Sequence, residues 1–386
     1  MSESDEAVSR RGFLAASAAG AAALAAGTEG AMPAAAQSQG PHIKPLPPEI
    51  FIDHGLNKET RLETLRGYLT PASHFFVRNH APTPVIDRRT WRLRIEGDAV
   101  ERPVDLGFED LLKMPSRSVI CYVECAGNGR GFFQEFMGKV ASGTQWRLGA
   151  IGVAEWTGVP FAALLDLARL KRDTPRDPLN VLVESLDSVK VNRPMSLEKA
   201  LEEDTLLAYA MNGDLLPTDH GGPARAIVPG WVGINNIKWV GRIEARTRAI
   251  DVPTTTSTYV MEGPEHQGKT PLRLQTLKSA LALPWGATLP AGRHRLRGFA
   301  WSPVARIARV DVSVDRGATW SPAALREPNI ARAWVRWDFE WDARPGAQTV
   351  LTRATDERGN TQPASMPWNA QGYGYNVPVP HPVQIT

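Results

Sequence analysis

The stretch Ser118-Val119-Ile120-Cys121-Tyr122-Val123-Glu124-Cys125-Ala126-Gly127-Asn128-Gly129-Arg130 joins a run of β-branched and aromatic residues to a glycine-rich turn. The run reads as a strand. It ends on a thiol, and a guanidinium follows the turn. In an exported chain two cysteines would ordinarily suggest a disulfide. Strand positions four apart, however, are separated by about 13 Å of rise, against roughly 4.4–6.8 Å between Cα atoms across a disulfide. Cys121 is therefore expected to be a small buried hydrophobe on the same face as Cys125. Cys125, between the strand and the turn that carries Arg130, has the surroundings of a metal-ligating thiol.

N-terminal to this stretch the chain opens with Ser9-Arg10-Arg11-Gly12-Phe13-Leu14, then an Ala/Gly-rich apolar segment to about Ala26 and a small-residue site at Ala34-Ala35-Ala36. This is the pattern of a twin-arginine signal peptide over residues 1–36, too short and too weakly hydrophobic for a stable membrane span. The expected location is the periplasm. Export of an already folded protein suits one that takes up a cofactor beforehand. With 386 residues the chain is long enough for two domains after such a leader. A formal charge of +3 and the lack of a basic run interleaved with aromatics argue against a nucleic-acid partner. Twelve tryptophans suit aromatic packing in a β-rich core.

Beyond about Leu272 the period becomes two. Val310, Val312 and Val314 alternate with Asp311, Ser313 and Asp315, while Val335, Trp337, Phe339 and Trp341 alternate with Arg336, Asp338 and Glu340. Turn signals at Asp315-Arg316-Gly317 and Arg358-Gly359-Asn360 punctuate these strands. Residues 272–386 thus read as an all-β, immunoglobulin-like sandwich, after a domain over residues 37–271.

Six short motifs resemble, in order, the molybdenum-cofactor domain of the sulfite oxidase family: Arg78, Asn79 and His80 in F-V-R-N-H; Cys125 in E-C-A-G-N; Asp187 in Glu184-Ser185-Leu186-Asp187; His220 in D-H-G; Arg225 in Gly222-Pro223-Ala224-Arg225; and Lys238 in I-K-W. The central run from Leu207 to Asp214 and on to Gly233 is also similar, and the likeness covers most of the chain beyond the leader. It implies an α+β fold, a sulfite-oxidase-type molybdopterin domain followed by the sandwich, with the sandwich making a homodimer. It implies Cys125 as the thiolate ligand of molybdenum, with Arg78, Asn79, His80, Asp187, His220, Arg225 and Lys238 holding the molybdopterin. Arg78 and Arg130 are the guanidiniums expected to bind sulfite, and Tyr259 is the candidate for a tyrosine near the metal. Two departures mark the chain: Ser142 stands where many animal members carry a lysine, and Asn128-Gly129-Arg130 where they often have two consecutive arginines.

Other metals fit the residues less well. Zinc takes three or four protein ligands, and the chain has no C-x-x-C pair and no H-E-x-x-H. Arg130 stands where a blue-copper histidine would follow the cysteine. A metal that draws most of its donors from an organic dithiolene needs a single thiolate. No haem-attachment, flavin or nicotinamide motif is present, so electrons are expected to leave to a separate protein, a c-type cytochrome. The resemblance implies a sulfite dehydrogenase. Its alternatives are a sulfane dehydrogenase subunit of a sulfur-oxidising complex, a molybdenum-dependent reductase, and, from another class, a non-catalytic periplasmic binding module.

Overall fold

The computed structural model describes residues 41–386; the expected leader and its cleavage site lie outside the described residues. The fold is dominated by strands, with helices of only six or seven residues such as Phe108–Lys113, Gly131–Met137 and Phe161–Leu167. The expected α+β class therefore takes a mainly β form.

Two five-stranded sheets build the first part. One contains Arg117–Glu124, Ile151–Pro160, Leu206–Met211 and Asp214–Leu215 in that order, with Arg225–Ile227 also pairing Leu206–Met211. The other runs Val104–Gly107, Arg92–Glu96, Val240–Ala245, Leu179–Ser185, Asn192–Ser196. Only Arg92–Glu96 and Val240–Ala245 pair in parallel within these two sheets.

Arg117–Glu124 is the strand read from the sequence. It pairs antiparallel with Ile151–Pro160, Cys121 opposite Ala154 and Glu124 opposite Ile151. Alternate side chains face opposite ways in a strand, and here both faces are buried. Cys121, Val123 and Cys125 pack with Phe75, Phe76 and Trp156. Tyr122 packs on the other side with Phe299, Trp301 and Trp334. Both cysteines are free, as the strand spacing requires. Burial pushes the Cys121 thiol up to about 12, with Asp204 adding to it, so this group remains a protonated hydrophobe.

The C-terminal part is a sandwich of a four-stranded sheet (Lys278–Leu281, Gly292–Trp301, Trp334–Ala343, Ala324–Arg326) and a five-stranded one (Ala287–Leu289, His381–Ile385, Gly346–Asp356, Ile307–Ser313, Ser321–Pro322). Val310, Val312, Val335, Trp337 and Trp341 fill its core, as their period-two spacing predicts. Asp311 is an exception to the polar face: it is buried and paired with Arg309 at 3.1 Å and Arg353 at 3.5 Å. The two parts are joined through the cysteine strand, whose Tyr122 N–H donates to the Arg332 carbonyl at 2.9 Å.

Candidate active site

A cleft opens between the loops that follow the strands of the first part. Arg78, Asn79, His80, Cys125, Asp187, His220, Arg225, Lys238 and Tyr259 all line it. Nine of the ten residues singled out in the sequence are thus brought together, from segments up to 181 residues apart.

Cys125 is placed by its backbone. Its N–H donates to the Ala150 carbonyl at 2.9 Å and its own carbonyl accepts from Asn128 at 2.9 Å. The Asn128 side chain in turn accepts from Ala150 N–H and donates to Glu124 Oε1, both at 3.0 Å. The turn formed by Gly127, Asn128 and Gly129 is therefore tied back to the strand it leaves. Gly233 completes the fit: a Cβ there would come within 2.4 Å of the Glu124 carbonyl oxygen.

On one side of the cleft Arg78 Nη2 lies 2.9 Å from His80 Nε2 and donates to the Tyr259 hydroxyl at 3.3 Å. That hydroxyl is 3.0 Å from the same His80 nitrogen. The His80 ring opens to solvent in the cleft. Even so, the surrounding protein, then Arg78 and Lys238, lower its pKa, leaving a neutral acceptor. Burial raises the Tyr259 pKa, so the corner presents a cation beside two neutral groups.

The opposite wall is cationic and buried. Arg225 donates to the carbonyls of His220 at 2.9 Å and Asn236 at 3.0 Å and stands 4.9 Å from the Trp156 ring centre. Burial pushes it down to about 9, and its Nε has no partner among the described residues. Lys238 reaches the Asn79 side chain and donates to the Asp219 carbonyl at 2.9 Å. His220 Nε2 lies 2.9 Å from the Ala72 carbonyl, and burial followed by nearby Lys44 keeps the ring neutral. The Asp187 carboxylate accepts from Val191 N–H at 3.1 Å, and the Asp187 N–H donates to Ser185 Oγ at 3.0 Å. Its loop is held by Leu186 N–H on the carbonyl of Trp239, a residue in the left-handed region at φ 53°. A bulky side chain there is an outlier that its surroundings must enforce.

Arg130 stands apart from these nine residues. It does not line the cleft. Its Nε and Nη1 donate to the carbonyls of Gln371 (2.9 Å) and Thr144 (3.1 Å), and its guanidinium lies 5.0 Å from the ring of Tyr373. Tyr373 stacks on Tyr259, with ring centres 5.3 Å apart and planes 12° from parallel. On the side of Tyr259 lies Arg193, 1% exposed, its guanidinium 5.9 Å from the Tyr259 ring and its Nε and Nη1 without partners. Sequence reasoning missed Arg193, Tyr373 and Lys44. For Arg193 the signal was a charge in Asn192-Arg193-Pro194-Met195-Ser196, whose other residues are mostly apolar or small; for Tyr373 it was an aromatic enclosed by glycines in Gln371-Gly372-Tyr373-Gly374-Tyr375.

The donor set decides what the cleft can hold. Among the described residues no group of three or more His, Cys, Asp or Glu side chains could hold a metal ion. A metal on Cys125 must therefore take its other donors from the group that carries it. The buried cations, with an unpartnered Arg225 Nε, fit a group that is itself polar and anionic. These features define a molybdopterin-type oxidoreductase site.

Residues 80–253 match the family model of the oxidoreductase molybdopterin binding domain, and residues 278–385 that of the Mo-co oxidoreductase dimerisation domain. The chain is 33% identical over 360 residues to mitochondrial sulfite oxidase of Mus musculus, covering 87% of this chain and 62% of that protein. It is 31% identical over 328 residues to sulfite oxidase of Gallus gallus, covering 79% and 71%. The solved sulfane dehydrogenase SoxCD from Paracoccus pantotrophus superposes with a TM-score of 0.75 at 30% identity, covering 83% of this chain and 82% of that one. The chain belongs to the sulfite oxidase family. It spans about three fifths of the length of the mammalian relatives it matches.

Proposed function

We propose that the protein is a periplasmic, molybdenum-dependent sulfite dehydrogenase that passes electrons to a separate c-type cytochrome. The observation that carries this reading is one cleft in which a single thiol, Cys125, faces a corner made by Arg78, His80 and Tyr259. The overall reaction is sulfite plus water to sulfate, two protons and two electrons. The molybdenum–molybdopterin group, when bound, supplies oxygen-atom transfer and accepts the electron pair. Cys125 is its protein ligand. Arg225, Lys238, Asn79, Asp187 and His220 hold the organic part through the buried cations and polar groups described above. Arg78 orients the sulfite oxygens and offsets their charge. His80, neutral, accepts from Arg78 and so fixes its fork. Arg130 contributes from behind Tyr373, through the ring it packs against. The dimerisation-domain match supports a homodimer through the sandwich, and the twin-arginine pattern supports export.

The likeness to SoxCD favours a second reading, oxidation of protein-bound sulfane sulfur. The test is molybdenum content by mass spectrometry on protein exported through its own leader, with a Cys125→Ser variant alongside and sulfite-dependent cytochrome c reduction on the same samples. Near-stoichiometric metal with sulfite turnover that the variant loses supports the dehydrogenase. Metal without sulfite turnover moves the assignment to the sulfane substrate. Folded protein that never acquires molybdenum overturns both.

A further inference from the structure

Arg193, Tyr259, Tyr373 and Arg130 form one column: a guanidinium 5.9 Å from the first ring, two nearly parallel rings 5.3 Å apart, and a second guanidinium 5.0 Å from the second ring. Both cations are buried, at 1% and 6% exposure. A desolvated cation against an aromatic face and a stacked aromatic pair each add attraction beyond burial. Burying an arginine with two unpartnered nitrogens is costly. Arg193 makes just one hydrogen bond among the described residues, to the Leu272 carbonyl. Core packing would be better served there by an apolar side chain.

Tyr259 also sits in the left-handed region at φ 53°, which bulky residues adopt only under constraint. The constraint comes from the C-terminal part. Gln371 Oε1 accepts the Tyr259 N–H at 3.1 Å, Asn369 closes the loop on Tyr373 through bonds of 2.8 Å, and Gly374 N–H donates to the Ala126 carbonyl at 3.0 Å, beside Cys125. The ring has Tyr373 stacked on it and Arg193 5.9 Å from its centre, its backbone N–H is bonded to Gln371, and its hydroxyl meets Arg78 and His80.

We infer that Arg193 and Tyr373 are positioning residues for the Tyr259 hydroxyl, and that the column makes the site selective for a small oxyanion by holding that hydroxyl and the Arg78 fork in one fixed arrangement. This rests on the proposed oxyanion substrate. A flexible tyrosine would lose orientation entropy on meeting the anion, whereas a clamped one presents its hydroxyl already placed.

The test uses the holoenzyme and its Tyr373→Leu, Arg193→Met and Tyr373→Phe variants, with a crystal structure and sulfite kinetics for each. In Tyr373→Leu and Arg193→Met the hydroxyl should leave hydrogen-bond distance of His80, and KM should rise about tenfold, the loss of one oriented hydrogen bond to an anion, while kcat falls less. Tyr373→Phe keeps the ring and should restore both hydroxyl position and KM. A hydroxyl that remains on His80 in both disrupted variants overturns the inference whatever the substrate. So does a displaced hydroxyl with KM unchanged in an enzyme that turns over sulfite. A displaced hydroxyl in an enzyme that never turns over sulfite leaves the positioning role supported and removes the oxyanion reading alone.

Discussion

Lys278 Nζ lies 2.6 Å from Glu124 Oε1, and neither side chain has more than 1% of its surface exposed. The pair joins the residue before Cys125 to the first strand of the sandwich. Its remaining valences are met: Glu124 Oε2 accepts from Trp301 Nε1 at 3.0 Å, Oε1 accepts from Asn128, and Lys278 donates to the Asn128 carbonyl at 3.0 Å. A buried pair with one partner removed leaves an uncompensated charge, which costs about 3–5 kcal/mol. Glu124→Gln and Lys278→Met should each lower unfolding stability by that amount in denaturant titrations. The double variant should lose less than the sum, because neither charge then stays alone.

The two cysteines should separate cleanly. Cys121→Ala removes a buried sulfur from the core and should cost about 1 kcal/mol of stability while leaving metal content unchanged. Cys125→Ser should abolish sulfite turnover with little loss of stability. With Cys121 held protonated by burial, iodoacetamide on metal-free native protein should label Cys125 and spare Cys121; mass spectrometry of the labelled peptides reads both sites.

Gly233→Ala should act on the site through the backbone. A Cβ at 2.4 Å from the Glu124 carbonyl oxygen and 3.1 Å from the Cys125 Cα cannot be accommodated without a shift. Overpacking of this kind costs about 1–3 kcal/mol. The expected outcome is a lower Tm together with reduced molybdenum occupancy, whereas Gly286→Ala, with nothing near its Cβ, should leave the metal in place.

Stability should fall on mild acidification, and His381 should carry part of the fall. Burial pushes its pKa down to about 4, against the bond from its ring to the Pro284 carbonyl, which raises it. An unfolded histidine titrates near pH 6.5. Between those values the unfolded chain binds a proton that the folded chain does not, so stability is full above about 6.5 and declines as pH drops toward 4, by at most about 3 kcal/mol. His381→Gln should flatten the slope of stability against pH across that window. An unchanged slope in chemical denaturation would assign the pH dependence to other groups, such as buried His220.

The sequence alone determined the parts that depend on local pattern. Alternation of β-branched residues around Cys121 and Cys125 set a strand and excluded a disulfide, because residue rise in a strand is fixed whatever surrounds it. Alternation at Val310–Val314 and Val335–Trp341 set the sandwich, and short polar motifs identified eight of the cleft's residues through their resemblance to a known family. Tertiary structure decided what no local pattern encodes. Arg130 follows the cysteine closely in sequence, yet its guanidinium is taken up by the carbonyls of Thr144 and Gln371, because the C-terminal loop reaches back to it. Asp311 carries the period of an exposed face but is buried, because Arg309 and Arg353 converge on it from neighbouring positions of the sheet. Arg193 and Tyr373 meet Tyr259 only when three distant segments fold together. Such contacts are set by tertiary packing, where the energy of a cation, a ring or a carboxylate depends on which neighbours exclude water from it.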